Sequence, residues 1–244
     1  MIVAASYLSP RPATHGDKAN SYTIPVLLVE AACKRLGIQH VVITERDSEL
    51  PPGLSFVYEV DGTKDMSLMK AILAGQADYL RTNGVANEGT IMIGADVLFC
   101  RDPREVFDGG DWDIGLSVGP YVPGGLSNGT VYLAPGRRPG MAHEFYKAAL
   151  AVCGDEWGED QEAIRRTALP LVKPGVIVER DGFKLRFLDQ TTHDAPPHSA
   201  GDGALAKTSI AVHFKGNRKD FMAEWARLHL GIETPDDPRD KLAA

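Results

Sequence analysis

Cysteine is scarce in this chain: Cys33, Cys100 and Cys153 are the only three in 244 residues, far apart and without CxxC spacing. That excludes a disulfide framework and a zinc ribbon and leaves small buried hydrophobes as their expected role. No apolar stretch is long enough to span a bilayer, and the opening Met1-Ile2-Val3-Ala4-Ala5-Ser6-Tyr7 lacks both the basic flank and the length of a secretory signal. A soluble, cytoplasmic protein is the expectation. Basic excess is missing as well. The 26 Lys and Arg face 33 Asp and Glu, a formal charge of −7, so the chain as a whole has no general attraction for nucleic acid or anionic membranes. It has no internal repeat.

What is present is apolar material for one core, 43% of the residues. One domain is expected over residues 1–234, followed by a charged tail over 235–244. Strand and helix patterns alternate through the first half. Residues 2–7 predict a strand, a polar loop follows, and Pro25 suits the first turn of a helix that stops before Gly37. β-branched runs at 41–43 and 54–60 predict strands. Asp65 introduces a helix with Met66, Met69, Ile72 and Leu73 on one face, and 90–93 is a strand ending at Gly94-Ala95-Asp96. Later strands are expected at 112–118, 126–133, 176–179, 184–188 and 209–214, with helices near 141–152, 160–166 and 220–230. The pattern predicts a mostly parallel open sheet covered by helices, whose ligands gather at the carboxyl ends of its strands. Asp96 lies at such an end.

The segment richest in chemistry is His213-Phe214-Lys215-Gly216-Asn217-Arg218-Lys219. A departing diphosphate gathers negative charge and needs a divalent cation, basic side chains, or both. An imidazole at a strand end can ligate a metal, Gly216 lets backbone approach phosphate, and Lys219 is a mobile point charge. The same residues also suit an ordinary basic turn between strand and helix. His213, Gly216 and Lys219 match the HxxGxxK signature of retaining glycosyltransferase family 8 and similar GT-A enzymes, which the chain resembles from roughly residue 81 to 219. The resemblance implies an α/β, GT-A (Rossmann-like), mostly parallel mixed sheet flanked by helices in a single domain. It also implies transfer of a sugar from a nucleotide-diphosphate donor, UDP-sugar foremost, to an acceptor hydroxyl with retention.

Further segments carry the resemblance. Residues 91–99, with Gly94-Ala95-Asp96, are similar to the family's strand ending in DxD. By that likeness Asp96 and His213 are metal ligands for Mn2+ or Mg2+, although Gly94 stands where the first acid is expected, which leaves open a water-completed metal or none. Residues 125–133 resemble the strand that lines the sugar pocket, with Asn128 reading sugar hydroxyls; Asn128-Gly129 is equally a tight-turn signal. Trp157-Gly158-Glu159-Asp160-Gln161 resembles a GDQ-type element in which Asp160 grips the sugar and Gln161 lies beside the anomeric carbon. Asp160 also suits a helix cap. Tyr79-Leu80-Arg81 is similar to an aromatic-x-Arg element that orients the donor, with Lys70 as a rival, and Tyr7 and Ser6 would border the nucleotide base. The likeness thus implies catalytic roles for Asp160, Gln161 and Lys219, and donor contacts from Tyr7, Arg81, Asp96, Asn128, Gly216 and Lys219.

Two weaker signals compete. Residues 201–208 approach a phosphate-binding loop but carry Ala206 at the second glycine and lie in the wrong strand and helix context. His193 and His198 share a Pro-rich loop where solvation is the commoner fate. Two other functions stay open: a non-catalytic nucleotide-sugar-binding or protein-interaction protein descended from an enzyme, and sugar transfer to a hydroxymethylated DNA base, with Arg101, Arg104, Arg137, Arg138, Arg165 and Arg166 as phosphate contacts.

Overall fold

The computed structural model describes residues 1–9, 22–121, 123–135 and 138–234. The expected tail and Arg137 lie outside the described residues. Among these residues there are ten strands: β1 Val3–Leu8, β2 Gln39–Glu45, β3 Val57–Val60, β4 Thr90–Ile93, β5 Val97–Phe99, β6 Ile114–Val118, β7 Leu126–Leu133, β8 Ile177–Arg180, β9 Phe183–Asp189 and β10 Ala211–His213. Seven α-helices accompany them among the described residues: α1 Thr23–Arg35, α2 Leu68–Asn83, α3 Met141–Ala151, α4 Glu159–Ala168, the short α5 Gln190–His193 and α6 Leu205–Thr208, and α7 Met222–Leu230.

Eight strands form one sheet in the order β3-β2-β1-β4-β7-β6-β9-β8. The first four are mutually parallel, β7 runs antiparallel between β4 and β6, β6 and β9 are parallel, and β8 closes the far edge antiparallel. This is the mostly parallel mixed sheet expected, flanked by helices in a single domain. The central strand shows why the chain folds this way. Val3, Ala5 and Tyr7 join the core beneath α2 and α3, while Ile2 and Ala4 join a second core with α1 and α7. A strand covered on both faces has no solvent side, so its sequence is an almost unbroken apolar run.

Three local readings are resolved by the structure. Residues 97–99, which follow Gly94-Ala95-Asp96, form β5, which pairs antiparallel with β10 in a separate two-stranded ribbon. Such pairing joins residues more than a hundred positions apart and leaves no local signal. Asn128 and Gly129 lie within β7 and make no turn, because β4 and β6 flank that strand on both sides. The segment 201–208 ends in α6, a single helical turn, before β10.

The βαβ units β1-α1-β2 and β3-α2-β4 run their helices antiparallel to the strands, placing each helix start at the carboxyl edge of the sheet. Beneath α1, Ser6 Oγ bonds His40 Nε2 at 2.8 Å, and His40 Nδ1 bonds Glu30 Oε2 at 2.9 Å. The order matches that of a hydrolase triad. Ser6, however, has 0% exposure, so no substrate reaches it and the chain serves as a polar tie between β1, β2 and α1. Among the described residues no helix is long and apolar enough to cross a membrane.

Candidate functional site

At the carboxyl edge of β4 the chain turns through Gly94 and Ala95 to Asp96. Gly94 N–H donates to Gly129 O at 2.9 Å and Phe214 N–H donates to Asp96 O at 2.9 Å, which joins the ends of β4 and β10 to the middle of β7. Their side chains meet there. His213 Nε2 lies 3.2 Å from Asp96 Oδ1, and Lys219 Nζ lies 2.9 Å from Asp96 Oδ2. On the other side of the imidazole, Nδ1 lies 3.2 Å from Asp194 Oδ1. Gly216, at φ 66°, opens the 3-10 turn Gly216–Phe221 that brings Lys219 back to Asp96; this is a left-handed position that glycine adopts without strain. Tyr22, just before α1, sets its ring centroid 5.0 Å from Lys219 Nζ, within cation–π range.

Burial and charge compete in this cluster, and charge wins. Burial pushes the Asp96 carboxyl up, but His213 and Lys219 outweigh it and hold Asp96 well below the usual carboxylate range. Burial pushes the His213 imidazole down, but Asp194 and Asp96 raise it to about 9. At neutral pH this is an alternating chain of charges, with acid, imidazolium, acid and ammonium in order. It differs in kind from surface pairs such as Arg46 with Asp61, which contribute about 0–1 kcal/mol. Removing one member of a buried set strands its partner and costs roughly 3–5 kcal/mol.

A second polar group lies beside the first. Asn128 Nδ2 donates to Asp160 Oδ2 at 2.7 Å, linking β7 to the first turn of α4. Lys215 Nζ donates to Gln161 Oε1 at 2.9 Å. Burial raises the Asp160 carboxyl above its ordinary value, against the opposing hydrogen bonds from the Gln161 backbone and Asn128. The groups adjoin through Gly129, where an added Cβ would land on Asp194 Oδ1 and His213 Nδ1. Sequence reasoning missed Asp194, Tyr22 and the role of Lys215 in holding Gln161. Asp194 sits in the Pro-rich segment after β9 and carried no signal; Lys215 was inside the motif at a position the pattern leaves free.

Other expected site residues are placed elsewhere. Arg81 is in the last turn of α2, roughly 20 Å along the helix axis from its start, and therefore at the opposite edge of the sheet. It pairs with Asp78 at 2.5 Å. Lys70, its rival, is in the first turn at the carboxyl edge and pairs with Asp155 at 2.8 Å. Tyr7 turns under α2, with its ring against Gly75 and its hydroxyl donating to Glu45 at 3.3 Å; Tyr22 is the aromatic that lies beside Lys219. Arg81→Ala should accordingly change UDP affinity by less than about twofold in calorimetry, the ordinary size of a surface change, and a tenfold loss would return Arg81 to the site. His193 packs on Tyr132, and burial lowers it to about 4; His198 is exposed. Arg101, Arg104, Arg138, Arg165 and Arg166 each have a carboxylate partner within the chain.

No protein-family model matches the chain, and no curated protein matches it in sequence. Solved structures match it in fold. A glycosyltransferase involved in glycosylation of the major capsid of PBCV-1 aligns with TM-score 0.54 and 15% identity over 91% of this chain and 97% of its own. The bifunctional glycosyltransferase WbbM aligns with TM-score 0.57 and 9% identity over 92% of this chain and 49% of its own. GlyE of Streptococcus pneumoniae TIGR4 aligns with TM-score 0.53 and 9% identity over 94% of this chain and 63% of its own. The chain therefore has the α/β fold of these glycosyltransferases, with the cluster of Asp96, His213 and Lys219 at the carboxyl edge of the sheet, where open α/β folds gather ligands.

Proposed function

We propose that the protein is a glycosyltransferase that moves a sugar from a nucleotide-diphosphate donor, UDP-sugar foremost, to an acceptor hydroxyl. The observation that carries this reading is the union, at one strand edge, of a charged set suited to a diphosphate, Asp96, His213 and Lys219, with a set suited to a sugar, Asn128, Asp160 and Gln161.

A divalent ion, Mn2+ or Mg2+, fits the donor set: one carboxylate and one imidazole whose Nε2 faces it. Gly94 supplies no ligand, and among the described residues no three His, Cys, Asp or Glu side chains are arranged to hold a metal. Asp96 and His213 would therefore hold the ion together with diphosphate oxygens and water. When bound, the ion would neutralise charge on the leaving diphosphate. Lys219 adds a second positive charge there and is kept close by Asp96 and Tyr22. Asn128 and Asp160 orient the sugar hydroxyls. The resemblance puts Gln161, an amide held by Lys215, beside the anomeric carbon; an amide is no nucleophile for a covalent route, which supports departure and attack on one face and hence retention.

The test is UDP release from a panel of UDP-sugars, with and without Mn2+, with the anomeric configuration of the product read by NMR. Turnover of at least one donor, raised by Mn2+, is expected. Nucleotide-sugar binding without turnover would favour a non-catalytic binding protein, and no binding to any nucleotide sugar would overturn the proposal.

A further inference from the structure

Asp194 belongs to none of the motifs that mark this site. It follows α5 at the end of β9, is 1% exposed, and is fixed by its own backbone: its N–H donates to Gln190 O at 2.9 Å, while Ala195 N–H donates to Ala211 O at 3.0 Å. Its carboxylate straddles His213 Nδ1, with Oδ1 at 3.2 Å and Oδ2 at 3.4 Å. Among the described residues His213 is the one cation paired with it. A carboxylate this enclosed is costly without a compensating charge, so the imidazole and Asp194 define each other's place. The absent side chain at Gly129 provides the room, since a Cβ there would occupy the space of both groups. The opposite ring nitrogen, Nε2, is left facing Asp96.

We propose that Asp194 is a positioning residue: by accepting from Nδ1–H it keeps a proton on that nitrogen and sets the ring plane of His213, so that it is Nε2, beside Asp96, that gives up its proton when a divalent cation binds. This rests on the metal-assisted reading above and deepens it. A ligating histidine is a better ligand when a carboxylate accepts from its other nitrogen. The device has particular value here, because position 94 withholds a carboxylate and His213 is one of the two side chains proposed as ligands among the described residues. The backbone between residues 189 and 195 thereby becomes part of the donor site, although it touches neither donor nor ion.

The experiment uses the whole protein with isotope-labelled histidine and needs no nucleotide. Wild type should show a hydrogen-bonded, exchange-protected Nδ1–H signal for His213, shifted in Asp194→Asn and lost in Asp194→Ala. Broadening of the His213 ring signals by Mn2+ alone should require about 10- to 100-fold more Mn2+ in Asp194→Asn than in wild type. Thermal melts of the same samples identify a variant that has simply unfolded, and Asp194→Asn, isosteric and still an acceptor, is the variant expected to stay folded. An unchanged Nδ1–H signal in Asp194→Ala, Mn2+ broadening equal in Asp194→Asn and wild type, or no broadening in wild type would each overturn the assignment. A UDP titration run in parallel separates the two proposals: absent UDP binding with intact Mn2+ effects defeats the donor assignment and leaves Asp194 in its role.

Discussion

An Asp96→Ala variant is expected to lose donor turnover by about 100- to 1000-fold and, separately, to be less stable by roughly 3 kcal/mol or more. Both effects follow from its position. Asp96 is the centre of the charged chain, with His213 at 3.2 Å and Lys219 at 2.9 Å, and its removal leaves two enclosed cations without their shared partner. Turnover is read by UDP release and stability by denaturant titration. The pH dependence of the metal-free protein, in chelator, separates charge from packing. His213 is raised in the folded state to about 9 from an unfolded value of about 6.5. Its contribution is therefore fully present below pH 6.5 and lost as pH rises through 9. A shift of this size corresponds to about 3 kcal/mol. Asp96→Ala should flatten that alkaline decline, since one of the two carboxylates that raise His213 has gone. A decline as steep as in wild type, or turnover within tenfold of it, would refute the central role of Asp96.

A Gly129→Ala variant should be nearly as damaging, although it adds only a methyl group. The new Cβ would fall on Asp194 Oδ1 and His213 Nδ1, which are buried and tied to separate elements, while β7 is clamped between β4 and β6. Neither the strand nor its neighbours can yield cheaply, so a loss of about 3 kcal/mol, near the upper end for overpacking, is expected. UDP binding should fall with it. Gly201→Ala is the matched control, because its nearest neighbour would be Ser199 Oγ at 3.8 Å and its backbone φ is not in the left-handed region. Equal denaturation midpoints for Gly129→Ala and Gly201→Ala would show that the pocket beside His213 is not filled as described.

The regular elements were legible because their signals are local. Residues 90–93 and 126–133 were predicted as strands with the bounds they adopt, and the helices at 141–152, 160–166 and 220–230 each fall within about three residues of α3, α4 and α7. Periodicity and punctuation suffice for such segments. Proximity within the polar cluster was partly legible too. His213, Asp96 and Lys219 were grouped from a pattern match, as were Asn128 and Asp160, and each group is in contact. The pattern did not distinguish the two ends of α2. Arg81 and Lys70 occupy one helix of 16 residues, and the direction of that helix relative to the strands decides which of them stands at the carboxyl edge.

The sequence by itself determined the alternation of strand and helix, the burial of β1 on both faces and the chemistry available in residues 213–219, since each depends on spacing along the chain. Only the tertiary structure decided which charges share an enclosed space. Asp194 meets His213 across 19 positions, and Asp96 meets Lys219 across 123. Such contacts depend on sheet order and on the β5–β10 ribbon, which no local pattern specifies. The same physics that hides Asp194 in the sequence makes it consequential in the fold, because a buried carboxylate must find its partner through space.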